Sequence, residues 1–222
     1  KLIRRELRAA RRVQHPLIQT YIGMATGDFY TILISPFMAN GNLLEYLRRN
    51  PQVERREFVV QIAEAVEHLH TVHRLVHGDL KCENVLVSNE GTALLVDFGL
   101  STLINIHNRY TAAFSAPELS ASESGYSGVP SKTTQTDVYA FGMLVLQAFT
   151  GERPWSGNDE QAIIHAVSSG GVPSRPGRDV ARLGLSDSWW NICLHCWQHD
   201  PSLRPGMRRV FAELTVGARA LR

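Results

Sequence analysis

Residues 75–87, "LVHGDLKCENVLV", set a carboxylate, an ammonium and an amide between two apolar runs. Polar side chains pinned between segments that are due for burial are the informative ones. Further on, "ENVLVSNEGTALLVDFGL", residues 83–100, reads as a hairpin, with two apolar runs flanking the turn-forming "SNEG". Asn84 and Asp97 lie equally far from its centre, so closing the hairpin should bring them side by side. An amide oxygen and a carboxylate beside Asp79 suit Mg²⁺, which takes hard oxygen ligands and shares its shell with substrate phosphates. The spacing lets one carboxylate orient a nucleophile while the other binds metal. The plainer readings are a loop-capping Asp79 and an Asx-turn at Asn84. Gly78, between His77 and Asp79, is the remaining puzzle of the stretch.

The elements that must hold these residues follow from periodicity. Ile3, Leu7 and Ala10 share one helical face over residues 1–14, with Arg4, Arg5, Arg8, Arg11 and Arg12 mostly elsewhere, and His15-Pro16 should end that helix. Its basic side reads as a solvated face. Two short strands are expected at about 19–24 and 30–35, around a turn with Gly27 and Asp28. From Leu43 the pattern turns helical, and the clearest helix is expected at 53–73, with Phe58, Ile62, Val66 and Leu69 in step. Two early strands followed by many helices give an α+β class, a small sheet-containing part joined to a larger helical one.

Bulk composition excludes more than it assigns. The 222 residues are 44% hydrophobic with a net charge of +2, an ordinary globular balance with no long-range field aimed at nucleic acid or an anionic membrane. The longest apolar stretch, near 140–149, is too short to span a bilayer. Three unevenly placed cysteines, Cys82, Cys193 and Cys196, make no disulfide framework and favour a reducing intracellular compartment, expected to be the cytoplasm. "CLHCWQH" offers metal-ligand chemistry in Cys193, His195, Cys196 and His199, and the plainer reading is a packed helix with buried cysteines. The chain opens on Lys1 inside an amphipathic pattern and is expected to be a piece of something longer.

The motifs together resemble the protein kinase family, whose catalytic loop H-R-D-x-x-x-x-N stands here as His77-Gly78-Asp79 with Asn84, and whose D-F-G element stands as Asp97-Phe98-Gly99. "FSAPEL" at 114–119 is similar to the A-P-E element. "TDVYAFGMLVLQAFTGERPW" at 136–155, which holds Asp137, is similar to the buried helix beneath the catalytic loop. "CWQHDPSLRP" at 196–205 is similar to the segment whose arginine, here Arg204, pairs with Glu118. The resemblance implies a mostly helical C-terminal lobe at 39–222 and a truncated small N-terminal lobe at 1–38. It implies that Asp79 orients the substrate hydroxyl, that Asn84 and Asp97 hold Mg²⁺, and that Lys81 adds positive charge near the transferring phosphate of ATP. Lys81 and Thr111 resemble the serine/threonine type rather than the tyrosine type. The partner implied is a protein substrate, with no nucleic acid, and the oligomeric state is unassigned.

"YTILISPFMANG" resembles the strand and hinge that seat the nucleotide base. Ser35 would be a small gatekeeper, Pro36 would offer its carbonyl and Met38 its N–H to adenine, Asn42 could reach the ribose, and Leu86 would lie under the base.

Two family features are not found. Glu6 fits the helix glutamate that pairs with a strand lysine. The only lysines, Lys1, Lys81 and Lys132, cannot supply that partner, and no G-x-G-x-x-G occurs. The chain by itself is therefore expected to handle ATP poorly. Either it belongs to an ATP-dependent phosphotransferase or it is a pseudokinase-like interaction module. Because Gly78 replaces the usual arginine, there is no charge beside Asp79 for a phosphorylated activation segment to neutralise, and regulation is expected to run through other regions or partners.

Overall fold

The structure is a computed structural model and describes residues 13–27, 31–97, 112–120 and 131–219. The helix expected at 1–14, including Glu6, lies outside the described residues apart from 13 and 14, which are not helical. Phe98, Gly99 and Thr111 also lie outside them.

Strands β1 (Gly23–Thr26) and β2 (Thr31–Ile34) form an antiparallel pair with Gly23 opposite Ile34. The first strand begins four residues later than the sequence suggested, because 17–19 has another partner. Gln19 N–H donates to Leu95 O at 2.9 Å and Leu95 N–H to Leu17 O at 2.9 Å, so this segment runs beside the second hairpin instead of joining β2.

That hairpin is β3 (Val85–Val87) with β4 (Ala93–Leu95), paired Val85 to Leu95 and Leu86 to Leu94. Its other edge is closed by the Asn42–Leu86 bridge, with Val87 N–H donating to Gly41 O at 3.0 Å. The hairpin is therefore gripped on both sides by chain coming from the β1–β2 region. Alternation buries Val85, Val87, Ala93 and Leu95 and leaves Leu86 and Leu94 on the less covered face.

Helices supply the rest of the core. Helix α1 (Leu43–Arg49) starts where Asn42 Oδ1 accepts from Glu45 N–H, and α2 (Arg55–His68) starts at a Glu54 cap. Helix α2 buries Phe58, Val59, Ile62 and Val66, then passes into a π-helical turn, Leu69–His73, closed by Arg74 at φ 53°. The single helix expected to reach His73 thus changes pitch after His68. Such π turns are rare and cluster where function is placed.

The short helix α3 (Pro117–Ser120) precedes α4 (Thr134–Thr150), which is capped by a reciprocal Thr133–Thr136 box. Helix α4 is buried on all sides from Thr136 to Phe149, as a central helix must be. Gly142 makes this possible: a Cβ there would sit 2.6 Å from Trp197 Nε1. Helices α5 (Glu160–Ser168), α6 (Arg178–Arg182), α7 (Asp187–Cys196) and α8 (Met207–Arg219) complete the described chain. Helix α7 packs on α4, and α8 packs on α2. The α+β class read from the sequence holds.

Candidate active site

The loop 77–84 leaves the π turn and enters β3, and α4 holds it from below. Asp137, 1% exposed, is in the first turn of α4. Its Oδ2 accepts His77 N–H at 2.7 Å and its Oδ1 accepts Gly78 N–H at 2.8 Å, while His70 Nε2 donates to Oδ2 at 2.8 Å. Three donors on one buried carboxylate fix the start of the loop. Gly78 takes φ 79° here, a left-handed backbone that a side chain disfavours.

His77 is fully enclosed. Its Nε2 donates to Val96 O at 2.8 Å and its Nδ1 accepts Asp79 N–H at 3.2 Å, so both nitrogens are used by the neutral ring. Burial pushes its pKa down, against the pull of Asp137 and the Val96 carbonyl. The ring ties the loop to the hairpin's exit strand.

Beyond it the three polar residues meet. Lys81 Nζ donates to Asp79 Oδ2 at 2.7 Å, and Asn84 Nδ2 donates to Asp79 Oδ2 at 2.8 Å and to Asp79 O at 2.7 Å. Burial alone would raise the Asp79 carboxyl, but the Lys81 hydrogen bond and charge together with the Asn84 amide hold it below its ordinary value. Asp79 is therefore an anion with one oxygen engaged and the other available to a hydroxyl.

Asn84 stands opposite Val96, whose N–H donates to Asn84 O at 3.1 Å, so Asp97 falls one residue beyond the cross-strand pair. Asp97 is exposed and adopts φ 60°. Such a conformation for a non-glycine residue is a local strain of the kind found at functional positions. Its N–H donates to Tyr21 Oη at 3.3 Å, and Tyr21 Oη approaches Asp97 Oδ1 at 3.5 Å. Burial and the Asp97 charge push Tyr21 up to about 12.

The donor set at the hairpin mouth fits a hard cation. Because the Asn84 amide nitrogen is turned to Asp79, its Oδ1 is the end left to ligate, and Asp97 adds a solvent-facing carboxylate.

At the expected base seat, Pro36 O accepts from the buried Gln19 side chain at 3.0 Å, and Met38 O accepts Gly41 N–H at 3.1 Å. Asn42 uses its side-chain oxygen as the α1 cap, and Leu86 is half-buried beside it. Glu118 and Arg204 are brought together: Nη1 to Oε1 at 2.7 Å and Nη2 to Oε2 at 2.8 Å. Cys193 and Cys196 are buried while His195 and His199 are exposed, so these four do not converge. Among the described residues no group of three or more His, Cys, Asp or Glu is placed to hold a metal.

Sequence reasoning missed Tyr21, His70 and Gln19, whose partners lie 76, 67 and 17 residues away with no local signal. It also set aside Lys132, which is half-buried and so pushed down in pKa, against the pull of Asp79 and Asp137.

The loop is thus anchored on a buried helix carboxylate with a Lys- and Asn-bound aspartate at its centre, and elsewhere in the chain stands a bidentate Glu118–Arg204 tie. Across residues 1–214 the chain matches the protein tyrosine and serine/threonine kinase family, and it belongs to that family. It is 28% identical over 225 residues to mitogen-activated protein kinase kinase kinase 13-B of Xenopus laevis, covering 96% of this chain and 22% of that protein. It is 27% identical over 225 residues to mitogen-activated protein kinase kinase kinase 12 of Rattus norvegicus, covering 96% and 23%. To NUAK family SNF1-like kinase 2 of Homo sapiens it is 29% identical over 177 residues, covering 78% and 28%. The chain thus spans less than a third of the length of each of these relatives.

Proposed function

We propose that this chain carries the catalytic loop of an ATP-dependent protein phosphotransferase of the serine/threonine type, divided near residue 38 into a small and a large lobe with the nucleotide between them. The observation that carries the reading is the Asp79 cluster, in which Lys81 and Asn84 both donate to Oδ2. This leaves Oδ1 to orient a substrate hydroxyl and receive its proton. Lys81 would also meet the charge of a transferring phosphate. Asn84 and Asp97 would hold Mg²⁺, which supplies charge neutralisation on the phosphates when bound. Pro36 and Met38 would face the base, with Asn42 and Leu86 nearby, and Gln19 would fix the Pro36 carbonyl. Serine/threonine type is supported by Lys81 and by likeness to a probable serine/threonine-protein kinase of Arabidopsis thaliana, 27% identical over 228 residues. A reducing intracellular setting is supported by the three free, buried cysteines, and among the described residues no helix is long and apolar enough to cross a membrane.

The reading to be separated from it is an interaction module with little catalysis. The experiment is a pair of proteins, the chain alone and the chain extended upstream of Lys1 by a glycine-rich strand pair and strand lysine from a serine/threonine kinase. Phosphorylation of a generic protein substrate is measured in Mg-ATP. The extended protein is expected to turn over and its Asp79→Asn variant to fall to background. Equal rates with and without Asp79 would assign the chain to the module.

A further inference from the structure

Three histidines outside the active site form a short row of ring contacts, with His68 in the middle meeting His73 edge-on. His15, in the segment leading to the hairpin, lies 4.4 Å from His68 between ring centroids at an interplanar angle of 32°, and His68 lies 5.1 Å from His73. His68 is the last residue of α2 and His73 the last of the π turn, so the stack ties residues 13–18 to the point where the helix changes pitch. His68 Nε2 is buried with no hydrogen-bond partner among the described residues, and His15 Nδ1 accepts Leu17 N–H at 3.2 Å. We propose that this stack is a proton-sensitive latch, closed while its rings are neutral and opened when charge accumulates on them.

The surrounding charges decide the direction. His68 is acted on by His15 across the contact and by Glu64 and Glu67 on its own helix; His73 is acted on by His68. Glu64 Oε1 is 3.9 Å from His15 Nε2, so one positive charge on the stack has a carboxylate in reach. A second has an imidazolium as its neighbour, in a half-buried setting that screens poorly. Burial, then the neighbouring ring, pushes His68 and His73 down in pKa, with Glu64 and Glu67 opposing at His68. The latch is therefore closed above the ordinary histidine range of about pH 6.5 and weakens as pH falls below it. Arg11 and Arg12, next to it in sequence, lie outside the described residues.

Opening has a route to the active site. His70 sits in the same π turn and donates to Asp137, which holds His77 and Gly78. On the other side, Leu17 and Gln19 bond to Leu95 in β4, two residues before Asp97. Both ends of the catalytic loop are thus attached to elements that the stack joins.

Thermal unfolding of the chain and of His68→Phe, in EDTA at about pH 7.5 and 5.5, tests the latch. Phenylalanine keeps a ring in the stack and cannot take a proton. The parent's midpoint should fall with acid, and the fall in the variant should be no more than about half as large, the rest coming from His77 and other titrating groups. Equal falls overturn the latch. A second measurement needs no variant: ring resonances of His68 and His73 and exchange of the Gln19 and Leu95 amides are followed over the same range. Shared, two-step titrations with loss of protection at those amides are expected. Two independent titrations with unchanged protection overturn the proposal.

Discussion

Arg204 grips Glu118 through two parallel hydrogen bonds of 2.7 and 2.8 Å, with the arginine side chain wholly buried and the glutamate 29% exposed. The same guanidinium donates to the carbonyls of Gln198, Gln135 and His199 and lies 5.1 Å from the Tyr139 ring centroid. Every face of the cation has a partner, which is what a buried charge requires. Arg204→Leu removes the cation, strands Glu118 and leaves three carbonyls short of donors. Its expected cost is about 3 kcal/mol, read from chemical denaturation. A midpoint and slope equal to the parent's would show that the tie contributes nothing to stability.

Gly78 donates to Asp137 from a backbone at φ 79°. An L side chain in that region costs roughly 1 to 2 kcal/mol. Gly78→Ala should therefore destabilise the chain by about that amount, whereas an alanine at an exposed right-handed loop position should be nearly neutral. No loss would mean that the loop relaxes without its glycine. The sequence reading stressed the missing arginine charge; the backbone supplies a second and separate reason for glycine here.

The core of the site was legible because its chemistry is compressed: Asp79, Lys81 and Asn84 fall within six residues, and their types restrict what they can do together. The hairpin was legible from its two apolar runs. Its register was one residue off, because Ser88 and Thr92 close the turn through Ser88 N–H to Thr92 O, centring it on Glu90. The β1 displacement and the π turn were not legible, since both depend on partners far along the chain. Residues 17–19 prefer β4 to β2, and His70 reaches across to Asp137. Local periodicity carries no term for such contacts.

Acid should destabilise the fold before any carboxylate titrates. His77 is held neutral by burial, with Nε2 donating and Nδ1 accepting, so its folded pKa is below its unfolded one. The unfolded chain then binds more protons, and stability falls as pH drops below about 6.5. Asp79, also depressed, acts in the same direction only below about pH 4. Denaturation midpoints at about pH 7.5 and 5.5 should show a clear drop in this interval. A flat or rising profile would mean that the enclosed ring is charged in the folded state.

Asp79 and Asp97 should differ in kind when each is changed to asparagine. Asp79 is bound by Lys81 and Asn84 within the loop, while Asp97 stands exposed at the hairpin exit against Tyr21. In the upstream-extended protein, Asp79→Asn should cut turnover on the order of 10² to 10⁴-fold, the scale of a lost general base, and leave Mg-nucleotide affinity within about twofold. With Asp97 holding the cation as proposed, Asp97→Asn should weaken nucleotide affinity in Mg²⁺ while changing it little in EDTA. Calorimetric titration with and without Mg²⁺, beside initial rates, separates the two. If both variants lose nucleotide binding equally, the two carboxylates act as a single metal site, and the proton of the substrate hydroxyl must go elsewhere.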